Sequence, residues 1–189
     1  ISGYSAVEVL KTLEYFEKVL WVGAYNTAGG ARSSIDLPGI GESIHSYISN
    51  GGDFFVNHID FEDTTFVWFP LDSITTLNPN GRLYIGAEIL SPVSSDLDLS
   101  VSHLIAVKVK GIYPKQTEFL NYTEVYHMAD PDTTQDWIGN PPVCGVGQYN
   151  STSGKIALMT LPFHDGYRPK LQGNGSSIKF FEYLFDEIF

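Results

Sequence analysis

Cys144 and the histidines carry the most reactive chemistry that this chain could offer. A thiol becomes a nucleophile when an imidazole takes its proton and backbone N–H groups hold the oxyanion. Cys144 sits in Val143-Cys144-Gly145, and His164 follows it, just ahead of Asp165-Gly166. His45 or His58 could serve as the base, with Asp72 or Glu88 to orient it. Pro142-Val143 precedes the cysteine. The competing reading is a small, buried apolar thiol, the usual state of a free cysteine.

The acidic residues offer less. Asp130, Asp132 and Asp136 bunch in one polar stretch, where calcium would want six to eight oxygens. The glycine and distal glutamate of an EF-hand loop are absent, so a solvated acidic loop is the expectation. Asp60-Phe61-Glu62-Asp63 reads as an acidic turn. Glu88, Asp96 and Asp98 could supply a carboxylate pair for glycoside hydrolysis. With 22 acidic residues such a pair arises by chance. The five histidines form no His-x-His or His-x-x-x-His pair, and no glycine run cradles a phosphate. The expectation is therefore no catalytic residue, no metal and no cofactor.

Recognition fits these residues better than catalysis. Trp137 lies beside Asp136 in the stretch 129–142, which is long, polar and turn-prone. Loops of that length in compact domains are often functional. Tyr and Trp give rigid contact area at recognition surfaces. Asp132, Asp136 and Trp137 are the candidate ligand-binding residues, with Tyr113, Tyr149 and Tyr167 as further loop aromatics. Acidic flanks repel sialylated or sulfated ligands, so a neutral glycan or a basic protein patch is the expected partner.

Charge narrows the classes. Asp plus Glu number 22 against 11 Lys plus Arg, a formal net charge of -11. Such a surface repels phosphate backbones, which excludes a nucleic-acid partner. No apolar run approaches the ~20 residues of a membrane span. The single cysteine excludes a disulfide-stapled scaffold. Asn-X-Ser/Thr sequons occur at Asn121, Asn150 and Asn174. The chain opens at Ile1 without a leader-like segment, as a processed product or an excised domain would.

The elements that must position these residues are mostly strands. Ser5-Ala6-Val7-Glu8 has capping-box spacing, and the stripe after it fits a helix. Residues 14–24 also approach the alternation of a strand. Residues 27–43 have loop composition, with Gly29-Gly30, Pro38, Gly39 and Gly41. Phe54 to Ile59 and Thr64 to Phe69 read as strands, as does Arg82 to Leu90 after the turn Asn78-Pro79-Asn80-Gly81. Leu99 to Val109 alternates throughout. Val143 to Tyr149 and Lys155 to Leu161 flank a turn at Asn150–Gly154. Phe180, Phe181, Leu184, Phe185 and Ile188 fall at helical spacing, though two strands would also fit. The expectation is a single mainly β domain over 1–189, an antiparallel barrel or sandwich with short terminal helical segments. Strands alternating with long helices, the mark of a doubly wound fold, are not apparent.

Two family resemblances follow. The segment around Cys144 and His164 resembles the second barrel of chymotrypsin-like viral cysteine proteases, over these residues only. That family's Gly-X-Cys-Gly reads Pro142-Val143-Cys144-Gly145 here, so the first glycine, which helps shape the family's oxyanion loop, is missing. Across the whole chain, the short strands, the loops at 27–43, 91–98 and 129–142, and the scarce cysteine resemble a capsid spike or protruding domain. The spikes in question are those of small non-enveloped RNA viruses, astrovirus-like or nodavirus-like. The resemblance would have the acidic aromatic tail Phe180–Phe189 lead into an acidic segment, as in astrovirus capsid precursors. The resemblance implies a β-barrel-like, homodimeric domain on the virion surface that attaches to a host receptor or glycan and carries antibody epitopes. A non-viral carbohydrate-binding or adhesin domain, secreted or at the cell surface, is the third class.

Overall fold

The computed structural model describes residues 5–22, 37–57, 67–77, 84–85, 90–92, 103–104, 109–128, 140–160 and 176–189. Helix α1 (Ala6–Leu13) starts where the sequence places it. The Ser5 hydroxyl oxygen accepts from the Glu8 amide at 3.4 Å, and Glu8 Oε2 accepts from the Ser5 amide at 2.7 Å. These reciprocal bonds satisfy helix-start amides and hold the Glu8 carboxyl below its ordinary pKa.

Strand β1 (Lys18–Val22) follows, then α2 (Leu37–Ser49) and β2 (Asp53–Asn57). β1 and β2 pair in parallel, Leu20 opposite Phe55. The expected loop at 27–43 is therefore corrected where it overlaps α2. Pro38 sits near the helix start, where a missing N–H costs nothing. Ile40, Ile44, Tyr47 and Ile48 then form one buried stripe at helical spacing. The glycine-rich composition of the preceding residues hid that stripe.

The remaining strands are β3 (Leu71–Leu77), β4 (Tyr84–Ile85), β5 (Leu90–Pro92), β6 (His103–Leu104), β7 (Val109–Pro114), β8 (Asn121–Met128), β9 (Pro142–Gln148) and β10 (Lys155–Met159). A 3₁₀ turn (Gln116–Glu118) links β7 to β8. Helix α3 (Ser176–Tyr183) runs into a π turn (Leu184–Ile188). The main sheet has six strands in the order β1-β2-β10-β9-β8-β5, beside two-stranded pairs β3-β7 and β4-β6.

The chain is mainly strands, as expected, but its main sheet is mixed. β10 also runs parallel to β2, while β9, β8 and β5 add antiparallel strands. The purely antiparallel expectation is corrected because α2 carries the chain back to start β2 beside β1. Among the described residues the order ends at β1 and β5, and no barrel closes.

Two cores flank the sheet. Phe54, Val56, Ile156 and Leu158 face α1, α2 and the ribbon β3-β7, packing with Ile44, Trp68, Phe69 and Ile112. Phe55, Ala157, Met159, Val125 and Tyr126 face the C-terminal helix and pack on Phe180, Leu184 and Ile188. The period-2 alternation of β2 and β10 feeds both layers at once. Each fully buried Phe, Leu or Ile side chain contributes about 1.5–3 kcal/mol. Tyr47 ties α2 to the α1–β1 connection by donating to the Phe16 carbonyl at 2.8 Å, and burial pushes its phenol up to about 12.

Elsewhere the strand readings hold in part. Of the strand expected over Thr64 to Phe69, residues 64–66 lie outside the described residues, and Val67–Phe69 forms a turn with Trp68 and Phe69 buried, ahead of β3 at Leu71. Large aromatic residues gave that segment strand character, but they are packing anchors. The alternating stretch 99–109 is described only at His103–Leu104 and Val109, with the rest outside the described residues.

Candidate functional site

Cys144 lies on β9 with no exposed surface, in the layer beneath the C-terminal helix. Burial pushes its thiol well above the ordinary range, the opposite of what a thiolate nucleophile needs. His45 belongs to α2 in the opposite layer, where its ring lies 5.1 Å from that of Tyr149. His58, His164 and Glu88 lie outside the described residues. The structure thus gives Cys144 the surroundings of a packing residue. A Cys144→Ala protein is expected to lose about 1 kcal/mol through the small void and to keep any activity. Intact protein should resist thiol reagents until it unfolds. Rapid labelling of the native chain, or loss of a peptidase activity in the variant, would count against this placement.

Asp132, Asp136 and Trp137 also lie outside the described residues, as do Tyr167, Asp96 and Asp98. The end of the 129–142 segment is described, and it is anchored. Asn140 Nδ2 donates to the Met128 carbonyl at 3.0 Å, and the Met128 amide donates to the Pro141 carbonyl at 3.0 Å. This bonding fixes the segment's last residues against the end of β8. Among the described residues no group of three or more His, Cys, Asp and Glu could hold a metal ion.

The fixed residues border a groove of about 550 Å³. Tyr122, Glu124, Asn140 and Pro142 form its sheet side. Asp72 and Tyr113 from the β3-β7 ribbon, with Pro114, Gln116 and Thr117, form the facing wall. Strand alternation explains the sheet side: Tyr122 and Glu124 project to one face and Val125 to the other, and a register shift after Glu124 turns Tyr126 into the core beside Val125. The ribbon is held over the sheet by Leu71 and Ile112, both buried with Trp68 and Phe69.

Beneath Tyr122 the sequence places Gly145, and beneath Phe119 it places Gly147. A Cβ at either position would overlap the ring above it. Tyr122 is thereby lowered onto β9, its hydroxyl buried and without a hydrogen-bond partner among the described residues. Burial pushes its phenol upward, so it stays neutral. Glu124 Oε1 lies 2.8 Å from His127 Nδ1, an ion pair whenever the imidazole is protonated.

The groove therefore carries two carboxylates, two amides, a threonine hydroxyl and two tyrosines, with no Lys or Arg among its described lining residues. Of these, Tyr113 was legible as a loop aromatic and Asp72 as an acid. Asn140 was legible only as part of the 129–142 segment, and Gln116, Thr117, Tyr122 and Glu124 gave no sequence signal, because they meet only through the β7–β8 and β8–β9 connections.

No family model and no curated protein matches the chain. One solved structure similar to it is the mmIFT52 N-terminal domain, at 14% identity and a TM-score of 0.48, covering 95% of this chain and 79% of that one. Another is a beta-galactosidase from Rahnella sp. R3, at 15% identity and a TM-score of 0.40, covering 77% of this chain and 20% of that one. Likenesses this distant carry no argument about what the chain does.

Proposed function

We propose that this chain is a recognition domain that takes a neutral, hydroxyl-rich ligand, a glycan, in the groove between β8 and the β3-β7 ribbon. The observation that carries the reading is the groove's lining. Asp72, Glu124, Gln116, Thr117 and Asn140 offer acceptors and donors for sugar hydroxyls, and Tyr113 offers an aromatic face. The two carboxylates disfavour sialylated, sulfated or phosphorylated ligands. The segment 129–142, which carries Asp132, Asp136 and Trp137 in the sequence, ends at the groove wall with Asn140 and Pro142.

This reading serves a capsid spike that attaches virions to a host receptor or glycan and meets antibodies. It serves a secreted or cell-surface adhesin equally. In either setting a homodimer would cover some of the exposed apolar side chains, of which Tyr15 is 85% and Phe16 58% exposed.

Calorimetry against a panel of neutral, sialylated and sulfated oligosaccharides tests the proposal. Neutral members are expected to bind. Tyr113→Ala should weaken that binding about tenfold, or ~1.4 kcal/mol. Its melting temperature should barely move, since Tyr113 is 37% exposed. Preference for the anionic members, or an unchanged affinity in the variant, would overturn the groove as the site.

A further inference from the structure

The three sequons differ in what the fold makes of them. Asn174 lies outside the described residues. Asn121 begins β8, opposite Gln148 of β9, and borders a 230 Å³ cleft shared with Lys155 and Glu187. Bulk added there would fill the space between the sheet and the C-terminal turn.

Asn150-Ser151-Thr152 has no such burden. It forms the tip of the β9–β10 hairpin, with all three residues exposed while Ser153 and Gly154 behind them are buried. The Asn150 side chain is oriented through its oxygen alone. Oδ1 accepts from the Thr152 amide at 2.9 Å, the Thr152 hydroxyl at 2.8 Å and the Ser153 amide at 2.9 Å. Nδ2 donates no hydrogen bond among the described residues. Three donors on the oxygen hold the amide plane still and leave the nitrogen uncommitted. The threonine hydroxyl, two residues on, is the part of the sequon that supplies one of them.

We propose that Asn150 is a site of N-linked glycosylation, with a lipid-diphosphate-linked oligosaccharide as the co-substrate. Asn150 Nδ2 forms the new bond to the anomeric carbon. The bond from that carbon to the diphosphate oxygen breaks with its electron pair going to the oxygen, the lipid diphosphate leaves as the anion, and the proton lost from the amide passes to water. Nothing is oxidised or reduced. The hairpin tip leaves the attached glycan in solvent, and the rigid turn behind it is unaltered because Nδ2 takes no part in it. This inference stands apart from the groove and does not depend on what the groove binds.

The test uses the full chain secreted from eukaryotic cells behind a cleavable leader. Peptide mapping is done before and after release of glycans by peptide N-glycosidase in heavy-oxygen water. The expected result is a glycan on the peptide holding Asn150 and an isotope-tagged aspartate at 150 after release. Asn150→Gln and Thr152→Ala should each lose one glycan's mass, while Ser151→Ala keeps it. Thr152→Ala retains Oδ1 as the acceptor for Ser153, so it remains a readable variant should Asn150→Gln fail to fold. An unmodified Asn150 in the secreted protein overturns the proposal, whether or not Asn121 or Asn174 is occupied.

Discussion

Phe54→Ala and Phe55→Ala should each destabilise the chain by about 3–5 kcal/mol, out of a total of about 5–15 kcal/mol for a domain of ordinary stability. The two residues are neighbours on β2, both with no exposed surface, and they serve different layers. Phe55 packs its ring 5.7 Å from Phe180 and 6.3 Å from Phe181 under the C-terminal helix. Phe54 packs on the other side, 6.1 Å from Tyr47 and 6.2 Å from Trp21. Truncation removes the transfer free energy of the ring and leaves a void that a β strand bonded on both sides cannot close. Urea unfolding should show a lower midpoint at unchanged slope for both variants. A loss below ~1 kcal/mol for Phe55→Ala, with Phe54→Ala costly, would mean that the C-terminal helix is not packed as described.

Gly154→Ala is the second large effect, expected at about 3 kcal/mol or more, the upper range for overpacking. Gly154 lies behind the β9–β10 hairpin, its amide donating to the Ile48 carbonyl at 2.8 Å. A Cβ there would overlap the carbonyl of Gly52, in the turn that joins α2 to β2. That turn has its own constraint, since Gly51 adopts φ of 98°. Backbone presses on backbone, so no side chain can swing aside to relieve the contact. Gly145→Ala is the contrasting case. Its Cβ meets the far end of the Tyr122 ring, which can tilt. Thermal unfolding should therefore rank Gly154→Ala well below Gly145→Ala, and Tyr122→Phe should recover part of the Gly145→Ala loss by removing the hydroxyl that is struck. Equal melting temperatures for the two alanine variants would show that the hairpin does not press on Gly52.

What could be read in the chain beforehand had local causes. The capping box at Ser5–Glu8 involves residues three apart. The strand at Phe54 and those flanking Asn150–Gly154 alternate over a few residues, and their turn carries Asn, Ser and Gly. Helical spacing in Phe180–Ile188 needs no partner to be visible, and it forms α3 and the π turn. Trp68 and Phe69 were misleading because an aromatic residue buried in a turn has the same local signature as one in a strand.

The sequence by itself determined that the chain is mainly strands, strongly acidic and without an internal disulfide, while its terminal segments fitted helix or strand until the structure made them helical. The first three properties are set by composition or by spacing within one element. Only the tertiary structure decided that β1, β2 and β10 run parallel, since the direction of pairing depends on where α2 returns the chain. It also decided that Cys144 is a core residue, because burial is set by the C-terminal helix packed over β9. The groove is tertiary for the same reason. Asp72, Tyr113 and Glu124 are far apart in sequence, and only the β3-β7 ribbon folding over β8 and β9 brings their side chains to one surface.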